Sequence, residues 1–246
     1  MFKQQRTDKV LEIIRENKYA TVDFLVSKLH YSPATIRRDI TYLADLGLVK
    51  KSYGGVSITG NRPSIIREHE NISAKISLCK TASNLIKDGD TLFIDGTTTT
   101  YFLGEHILNK KDITVVTTNL KLATFLGNHK VNCYVCGGQV HDVTMLLGPF
   151  VCDMINKFKF DIAFFSVGTI NSNGQICLFS PFWDFMKCAI SRSSRNVLLC
   201  DKEKLTEDRN IYLTDIGAFD TVVCDFKPSK TFYTNFEKTQ FIISEE

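Results

Sequence analysis

The chain has 246 residues, enough for one or two domains with a sizeable buried core. Its hydrophobic fraction of 43% and charged fraction of 23% are typical of a globular protein and exclude a disordered, collagen-like or coiled-coil chain. No apolar run approaches the ~18 residues of a membrane span. The first residues also lack the apolar core of a signal peptide, so we expect a cytoplasmic protein without a membrane partner.

The positive charge is concentrated at the start of the chain. The formal net charge is +3, yet residues 1–60 contain ten Lys/Arg against six Asp/Glu, while the remaining residues contain twenty against twenty-one. A polyanionic partner is therefore expected at the N-terminal quarter. Charge alone does not distinguish such a partner from an ordinary solvated surface.

The eight cysteines predict neither a disulfide framework nor a metal site. The close pair, Cys133 and Cys136, lies in a predicted strand, where residues three apart point to opposite faces. No second pair lies at the spacing of a zinc site. Because cytosolic thiols stay reduced, we expect the cysteines to be small buried apolar residues, and we expect no cofactor.

Three helices and a hairpin are predicted in the first 58 residues. The first helix covers roughly 3–17, and the second follows Thr21. The third begins at Ser32-Pro33, a helix-capping hydroxyl followed by proline at the first helical position. Its inward stripe has i, i+4, i+7 spacing and consists of Ile36, Ile40 and Leu43. Two short β-runs, LVKK and GGVSIT, are joined by a turn.

The outer face of the third helix suits DNA. If the stripe faces the core, Ala34, Arg38 and Thr41 point away from it, with Thr35 and Arg37 on the flanks. Slender residues allow close approach to the major groove, and arginines reach guanine edges or phosphates. The alternative is a three-helix folding unit whose arginines are only solvated.

The segment SPATIRRDITYLADLGLVKKSYGG closely resembles the winged helix-turn-helix of the DeoR-type family of bacterial sugar-responsive transcription regulators. The resemblance implies that Thr35, Arg37 and Arg38 contact DNA, with Ser32 at the helix start and Lys50 and Lys51 in the wing. The family usually has histidine before the Gly-Gly pair, and here the residue is Tyr53. Together with the outward-facing position, the candidate DNA-binding residues are Ser32, Thr35, Arg37, Arg38, Thr41, Lys50, Lys51 and Tyr53.

A linker and a larger α/β domain are predicted to follow. Residues 59–72 lack periodicity, and after them a helix over 73–87 precedes short apolar runs that alternate with helical segments. The predicted strands are TLFI, ITVVTT, VNCYVCGG, DIAFFSVG, NVLLC and DTVVC, and the helices include LKLATFLGN and PFWDFMKCAISRSS. This pattern predicts a mostly parallel α/β sheet. The expected organisation is a DNA-binding domain over 1–58, the linker, and an effector-binding and oligomerisation domain over 73–246.

The run TLFIDGTTTTYFLGEHI contains residue types that suit phosphate binding. A strand ends at Asp95, Gly96 permits a tight turn, and four threonines lead into a helix. Backbone N–H groups and hydroxyls at that helix start can surround a phosphate. The run lacks the lysine and glycine spacing of a P-loop. A cap that only satisfies the helix end remains the alternative.

The resemblance extends over about residues 3–226. The family's ligand domain is similar to ribose-5-phosphate isomerase, and its motifs are matched here by Asp95–Thr99, Val116–Leu120, Gly137–Val140, Leu146–Pro149 and Asp201–Lys204. The implied effector-binding residues are Asp95, Gly96, Thr97, Thr98, Thr99, Thr118, Asn119, Gly138, Lys187 and Lys204. Lysines supply charge for a phosphate, and Asp95 and Asn119 can hydrogen-bond sugar hydroxyls. The chain departs from the family at Thr97, usually glycine, and at Trp183, commonly acidic.

We therefore predict a transcriptional regulator that represses genes of sugar metabolism or uptake. A phosphorylated sugar would release it from a double-stranded DNA operator, and it would act as a homodimer or homotetramer. One alternative is a sugar-phosphate isomerase using Asp95, Asp201 and Lys204, although no carboxylate–histidine arrangement supports catalysis. Others are a regulator whose sensor has lost its ligand and a constitutive architectural DNA-binding protein.

Overall fold

The computed structural model describes residues 3–17, 19–45, 48–52, 54–58, 67–141, 144–177, 180–206 and 212–245. The chain forms two compact units, residues 1–67 and 68–246, which are described separately. Most of the predicted linker, residues 59–66, lies outside the described part, as does Tyr53. None of the described helices combines the length and apolar character needed to cross a membrane.

The N-terminal unit contains three helices and a small antiparallel sheet. The helices are α1 (Lys3–Asn17), α2 (Val22–Leu29) and α3 (Pro33–Asp45). The strands are β1 (Tyr19–Thr21), β2 (Val49–Ser52) and β3 (Gly55–Ile58), in the order β1–β3–β2. Sequence periodicity did not predict β1, since three residues are too few to show alternation. Its strand conformation comes from pairing with β3, where Ala20 faces Val56.

The predicted stripe of α3 forms the centre of this unit. Ile36, Ile40 and Leu43 are all buried and pack with core residues of α1, α2 and β3. The helix begins where the sequence indicates, because the Ser32 hydroxyl accepts a hydrogen bond from the Thr35 backbone N–H at 3.2 Å. The opposite face of α3 is therefore directed to solvent.

The second unit is built on a parallel seven-stranded sheet in the order β15–β14–β12–β9–β4–β5–β6. Its strands are β4 (Thr91–Ile94), β5 (Thr114–Thr117), β6 (Asn132–Val135), β9 (Ile162–Ser166), β12 (Asn196–Cys200), β14 (Thr221–Cys224) and β15 (Gln240–Ile243). All six predicted strands belong to it. The edge strand β15 was not predicted, because its short, half-exposed run lacks a clear period.

Helices cover both faces of the sheet. They are α4 (Ile72–Ser83), α5 (Leu103–Ile107), α6 (Leu120–Asn128), α7 (Pro149–Ile155), α8 (Ser180–Arg192) and α9 (Lys230–Asn235). Leu92 and Ile94 belong to one hydrophobic cluster with residues of α4, α5 and α6, whereas Phe93 belongs to a second cluster with residues of α7, α8 and α9. Alternation along β4 thus gives one core on each face, and the loops after the strands lie at one edge, where open α/β sheets bind ligands.

The second unit also contains short strands outside the seven-stranded sheet. A hairpin pairs β7 (Gln139–His141) with β8 (Met145–Leu147), and a three-stranded sheet contains β10 (Thr169–Ile170), β11 (Gln175–Cys177) and β13 (Thr214–Asp215). A 3₁₀ turn, Thr100–Phe102, precedes α5, and two more are Lys202–Lys204 and Ile216–Ala218. None of these was predicted, since each is two to three residues long.

Two expectations need correction. The helix predicted over 73–87 ends at Ser83, because Leu85 and Ile86 make i→i−3 turn bonds that lead to Gly89 with a φ of +86°. The expectation that the cysteines are reduced is also wrong for Cys152 and Cys188, which form a disulfide between α7 and α8. Their Cα atoms lie 5.8 Å apart although 36 positions separate them, and only helix packing produces that approach.

Candidate functional sites

The exposed face of α3 presents the side chains that were predicted to meet DNA. Ala34, Arg37 and Arg38 are exposed, and Thr35 is half-buried. The hydroxyl groups of Ser32 and Thr35 lie 2.9 Å apart at the start of the helix. Ser32 therefore caps α3 and fixes where its first turn begins, while the two guanidinium groups extend from the surface.

The wing is fastened to this helix by two residues that were also predicted to bind DNA. The Lys51 ammonium donates a hydrogen bond to Thr41 Oγ1 at 2.8 Å, and that hydroxyl donates to the Arg37 backbone carbonyl at 2.8 Å. The β2–β3 hairpin is thereby tied to α3 near the middle of the helix. Lys50, its neighbour in β2, is exposed.

A buried ion pair holds α3 against α1. Arg6 Nε donates to Asp39 Oδ2 at 2.6 Å and Arg6 Nη2 donates to Asp39 Oδ1 at 2.9 Å, a two-pronged arrangement. The side chain of Asp39 is 1% exposed and that of Arg6 18%. The hydrogen bond to Asp39 raises the pKa of the Arg6 guanidinium, so the cation is retained. Together with the apolar stripe, the pair orients α3 and with it Arg37 and Arg38.

In the second unit, the threonine loop (residues 96–100) begins at a buried carboxylate. Asp95 Oδ1 accepts hydrogen bonds from Thr97 N, Thr97 Oγ1 and Thr100 Oγ1 at 3.0, 2.7 and 2.6 Å. Its Oδ2 accepts one from Ser166 N at 2.8 Å. Burial raises the pKa of Asp95, while the donors from Thr100, Ser166 and Thr97 oppose that rise. Asp95 therefore holds the loop to the end of β9.

Two lysines converge on the threonine loop from different elements. Lys204 Nζ, from the 3₁₀ turn after β12, lies 3.1 Å from Thr99 Oγ1 and donates to Ser166 Oγ. Lys75 Nζ, from α4, lies 3.3 Å from Thr98 Oγ1, and Lys75 is only 4% exposed. Two ammonium groups thus flank the hydroxyls of neighbouring threonines, an arrangement suited to a doubly charged anion.

The loop after β5 supports the threonine loop from the other side. Asn119 Oδ1 accepts bonds from the backbone N–H groups of Lys121 and Leu122 at 3.0 Å and caps α6. Its Nδ2 donates to the Thr97 carbonyl at 3.4 Å. The oxygen and the nitrogen of the Asn119 side-chain amide therefore both bond to the protein's own backbone. Among the described residues, the hydroxyl of the neighbouring Thr118 is buried and has no hydrogen-bond partner.

Gly96, in the threonine loop, and Gly138, just before β7, both have close neighbours. A Cβ on Gly96 would lie 2.5 Å from Met145 Cγ and 3.0 Å from Thr118 Oγ1. A Cβ on Gly138 would lie 2.5 Å from the Leu147 carbonyl oxygen. Both positions exclude larger residues because the backbone passes too close to its neighbours.

The two units match models of one protein family. Residues 6–61 match the DeoR-like helix-turn-helix domain, and residues 70–226 match the DeoR C terminal sensor domain. The second match covers more than half of the chain. The chain belongs to the DeoR family. It is therefore a DNA-binding transcriptional regulator and not an enzyme, which confirms the sequence prediction.

Several of its relatives are named as repressors. The glycerol-3-phosphate regulon repressor of Escherichia coli (strain K12) is 28% identical over 234 residues, covering 93% of each chain. The lactose phosphotransferase system repressor of Lactococcus lactis subsp. lactis is 24% identical over 252 residues, covering 99% of each. Among solved structures, ribose 5-phosphate isomerase from Plasmodium falciparum matches 55% of this chain and 53% of its own, with 15% identity and a TM-score of 0.39.

The structure of this DeoR-family protein does not bring every predicted effector residue to the threonine loop. Lys187 is exposed on α8 and lies 3.3 Å from Asp184 Oδ1 and 5.8 Å from the centre of the Trp183 ring, both on its own helix. Asp95, Asn119 and Lys204 do contact the loop.

The sequence did not identify Arg6, Asp39, Lys75 or Ser166 as residues of these sites. Asp39 lies between Ile36 and Leu43 on the inward face of α3, so the pattern itself indicated a carboxylate that needs a buried cation. Lys75 likewise precedes the buried Leu78 and Cys79 on the inner face of α4. No sequence signal marks Ser166 as the link between Asp95 and Lys204, since the spacing between these residues carries no pattern.

Proposed function

We propose that this regulator represses genes of sugar metabolism or uptake and leaves its operator when a phosphorylated sugar binds at the threonine loop. The main support for this proposal is that the ammonium groups of Lys75 and Lys204 lie at the hydroxyls of Thr98 and Thr99. The glycerol-3-phosphate and lactose phosphotransferase repressors among its relatives support a phosphorylated carbohydrate as the effector class.

The phosphate of the effector lies between the two ammonium groups. A phosphomonoester dianion accepts hydrogen bonds from Lys75, Lys204, Thr98 and Thr99, and charge-assisted bonds of this kind are about twice as strong as neutral ones. Asp95, which is already saturated with donors, keeps the loop in shape. The surroundings of the phosphate are shaped by Gly96, Thr97, Thr118, Asn119 and Gly138. Lys187 contacts the sugar part of the effector only if α8 moves toward the threonine loop.

In the N-terminal unit, α3 enters the major groove of the operator. Arg37 and Arg38 contact base edges or phosphates, with Thr35 at the groove floor. Lys50 and Tyr53 of the wing contact the backbone, and Lys51 holds the wing in place through Thr41. Ser32 supplies the N-cap that positions the helix.

Coupling of the two sites requires an oligomer. Residues 1–58 form the DNA-binding domain, 59–72 the linker, and 73–246 the sensor that joins two or four copies. A homodimer places two recognition helices on a two-fold symmetric operator. Effector binding favours the arrangement in which the helices no longer match both half-sites, so operator affinity falls. Such a regulator acts where the chromosome lies, in the cytoplasm.

Fluorescence anisotropy on labelled DNA from upstream of the gene and its neighbours tests the proposal. The full chain is titrated at two salt concentrations, and then sugar phosphates and their unphosphorylated sugars are added separately. We expect tight, salt-sensitive binding that one sugar phosphate releases and its free sugar does not. The Arg38→Ala variant serves as the control without DNA binding.

Each other outcome rejects the proposal in a different way. Binding that no sugar phosphate disturbs indicates a regulator whose sensor has lost its ligand, or a constitutive architectural protein. Conversion of ribose 5-phosphate to its isomer by the purified chain would contradict a role as regulator alone.

A further inference from the structure

The disulfide between α7 and α8 joins two cysteines that are not fully buried. Cys152 and Cys188 are both partly exposed, and their Cα atoms are 5.8 Å apart, within the range of ~4.4–6.8 Å that a disulfide spans without backbone movement. The bond can therefore form and open while the two helices stay folded.

The remaining cysteines are poorly suited to exchange. Burial raises the pKa of Cys133 and Cys224 to about 11 and that of Cys136 to about 12. It also raises the pKa of Cys79 and Cys200 above the usual range. Because the thiolate is the attacking species, these thiols stay inert near neutral pH. Cys177, which is half-buried, is the one further position that the experiment must control among the described residues.

A hydrogen-bonded path joins the helix of Cys152 to the threonine loop. The helix α7 directly follows β8, where the Leu146 N–H donates to the Thr118 carbonyl at 2.9 Å. The Leu120 N–H donates to the Thr144 carbonyl at 2.8 Å. The intervening Asn119 then donates to the Thr97 carbonyl. A constraint on α7 is thereby passed to the backbone that shapes the loop.

We propose that Cys152 and Cys188 form a redox-modification site whose oxidation by a low-molecular-weight disulfide strengthens effector binding. The effector part of this inference rests on the proposed function. In a reducing compartment, protein disulfides are usually transient or redox-sensing, which fits a partly exposed pair. The closed disulfide holds α7 against α8, so less conformational freedom is lost when the effector binds.

The chemistry balances with glutathione disulfide as oxidant. The thiolate of one cysteine attacks a glutathione sulfur, forms a mixed disulfide and expels one glutathione thiolate. The thiolate of the second cysteine then attacks the protein sulfur of the mixed disulfide and expels the second glutathione. The two cysteine thiols lose two protons and two electrons, and one glutathione disulfide becomes two glutathione thiols. Reduction runs the same steps backwards.

A redox titration of the full chain tests the site without any effector. The protein, in a Cys177→Ser background, is equilibrated with glutathione buffers of increasing oxidised fraction, trapped by alkylation and mapped by peptide mass. We expect one two-electron transition that joins Cys152 to Cys188. A pair that stays reduced in every buffer, or oxidised in every buffer, overturns the inference. So does oxidation confined to other cysteines.

The effector response then tests the consequence. Operator release by the active sugar phosphate is measured for the fully oxidised and fully reduced protein. We expect the reduced form to need about fivefold more effector, and the Cys152→Ser/Cys188→Ser variant to respond identically in both buffers. Equal responses of the oxidised and reduced wild-type protein overturn the coupling. If the redox transition occurs but no sugar phosphate releases either form, the proposed function fails while the redox site stands.

Discussion

Arg6 and Asp39 form a two-pronged ion pair between α1 and α3, 33 positions apart in the chain. The carboxylate is almost fully buried on the inner face of the helix whose outer face carries Arg37 and Arg38. This contact therefore helps to orient the outer face of α3, which is the proposed DNA-binding surface.

Removal of this pair should loosen the N-terminal unit. Arg6→Met leaves Asp39 buried without its cation, and we expect a loss of about 2 kcal/mol, less than for a fully buried pair because Arg6 is partly exposed. Hydrogen–deuterium exchange of the α1 and α3 amides in the full chain measures the loss. Arg6→Lys keeps the positive charge but not the two parallel hydrogen bonds. Its loss of stability should therefore be smaller than that of Arg6→Met. Exchange as slow as in the wild type would contradict the role given to the pair.

Lys50 and Lys51 should differ in the salt dependence of DNA binding. Lys50→Met removes the proposed phosphate contact, so the slope of log affinity against log salt should become shallower by about 0.9 for each DNA-binding unit. Lys51→Met should lower affinity with a smaller change in slope, because Lys51 is engaged with Thr41. Thr41→Val should have the same effect as Lys51→Met, with little further loss in the double variant. If Lys50→Met and Lys51→Met reduce the slope equally, Lys51 also contacts the phosphate backbone of the DNA.

Lys75 and Lys204 should govern effector affinity without affecting operator binding. Loss of a charge-assisted hydrogen bond costs about 1.5–3 kcal/mol, so Lys75→Met and Lys204→Met should each raise the effector concentration for half-release by roughly tenfold or more. Thr98→Val should act in the same direction. Lys187→Met is the matched control, since Lys187 is exposed and paired on its own helix. A larger effect at Lys187 than at Lys75 would move the phosphate away from the threonine loop.

Asp95 should act through the shape of the loop. Asp95→Asn leaves one oxygen to accept what two oxygens accept now, so the Ser166 N–H or the threonine donors lose their partner. An unsatisfied buried donor costs about 1–3 kcal/mol. For a unit of this size, that lowers the melting temperature by roughly 2–12 °C. Thermal unfolding without effector measures the change, and an unaltered transition would show that Asp95 does not hold the loop.

Local patterns in the sequence were sufficient for much of this protein. The i, i+4, i+7 stripe of α3 determined which face is buried, and hence that Arg37 and Arg38 lie outside. Apolar runs between helices determined a parallel sheet, and the sequence that follows β4 determined a polar loop at its carboxyl end. These features depend on neighbours within a few turns of helix or one strand, so the sequence displays them directly.

Only the tertiary structure decided which polar groups meet. Lys204 reaches Thr99 across 105 positions, Lys75 reaches Thr98 across 23, and Cys152 reaches Cys188 across 36. Asp95 and Asn119, which the sequence marked as able to hydrogen-bond sugar hydroxyls, also make hydrogen bonds within the protein. Such pairings follow from the packing of helices and from the order of strands in the sheet, which places β9 and β5 on either side of β4. Strand order arises from packing of the whole domain, and no local periodicity encodes it.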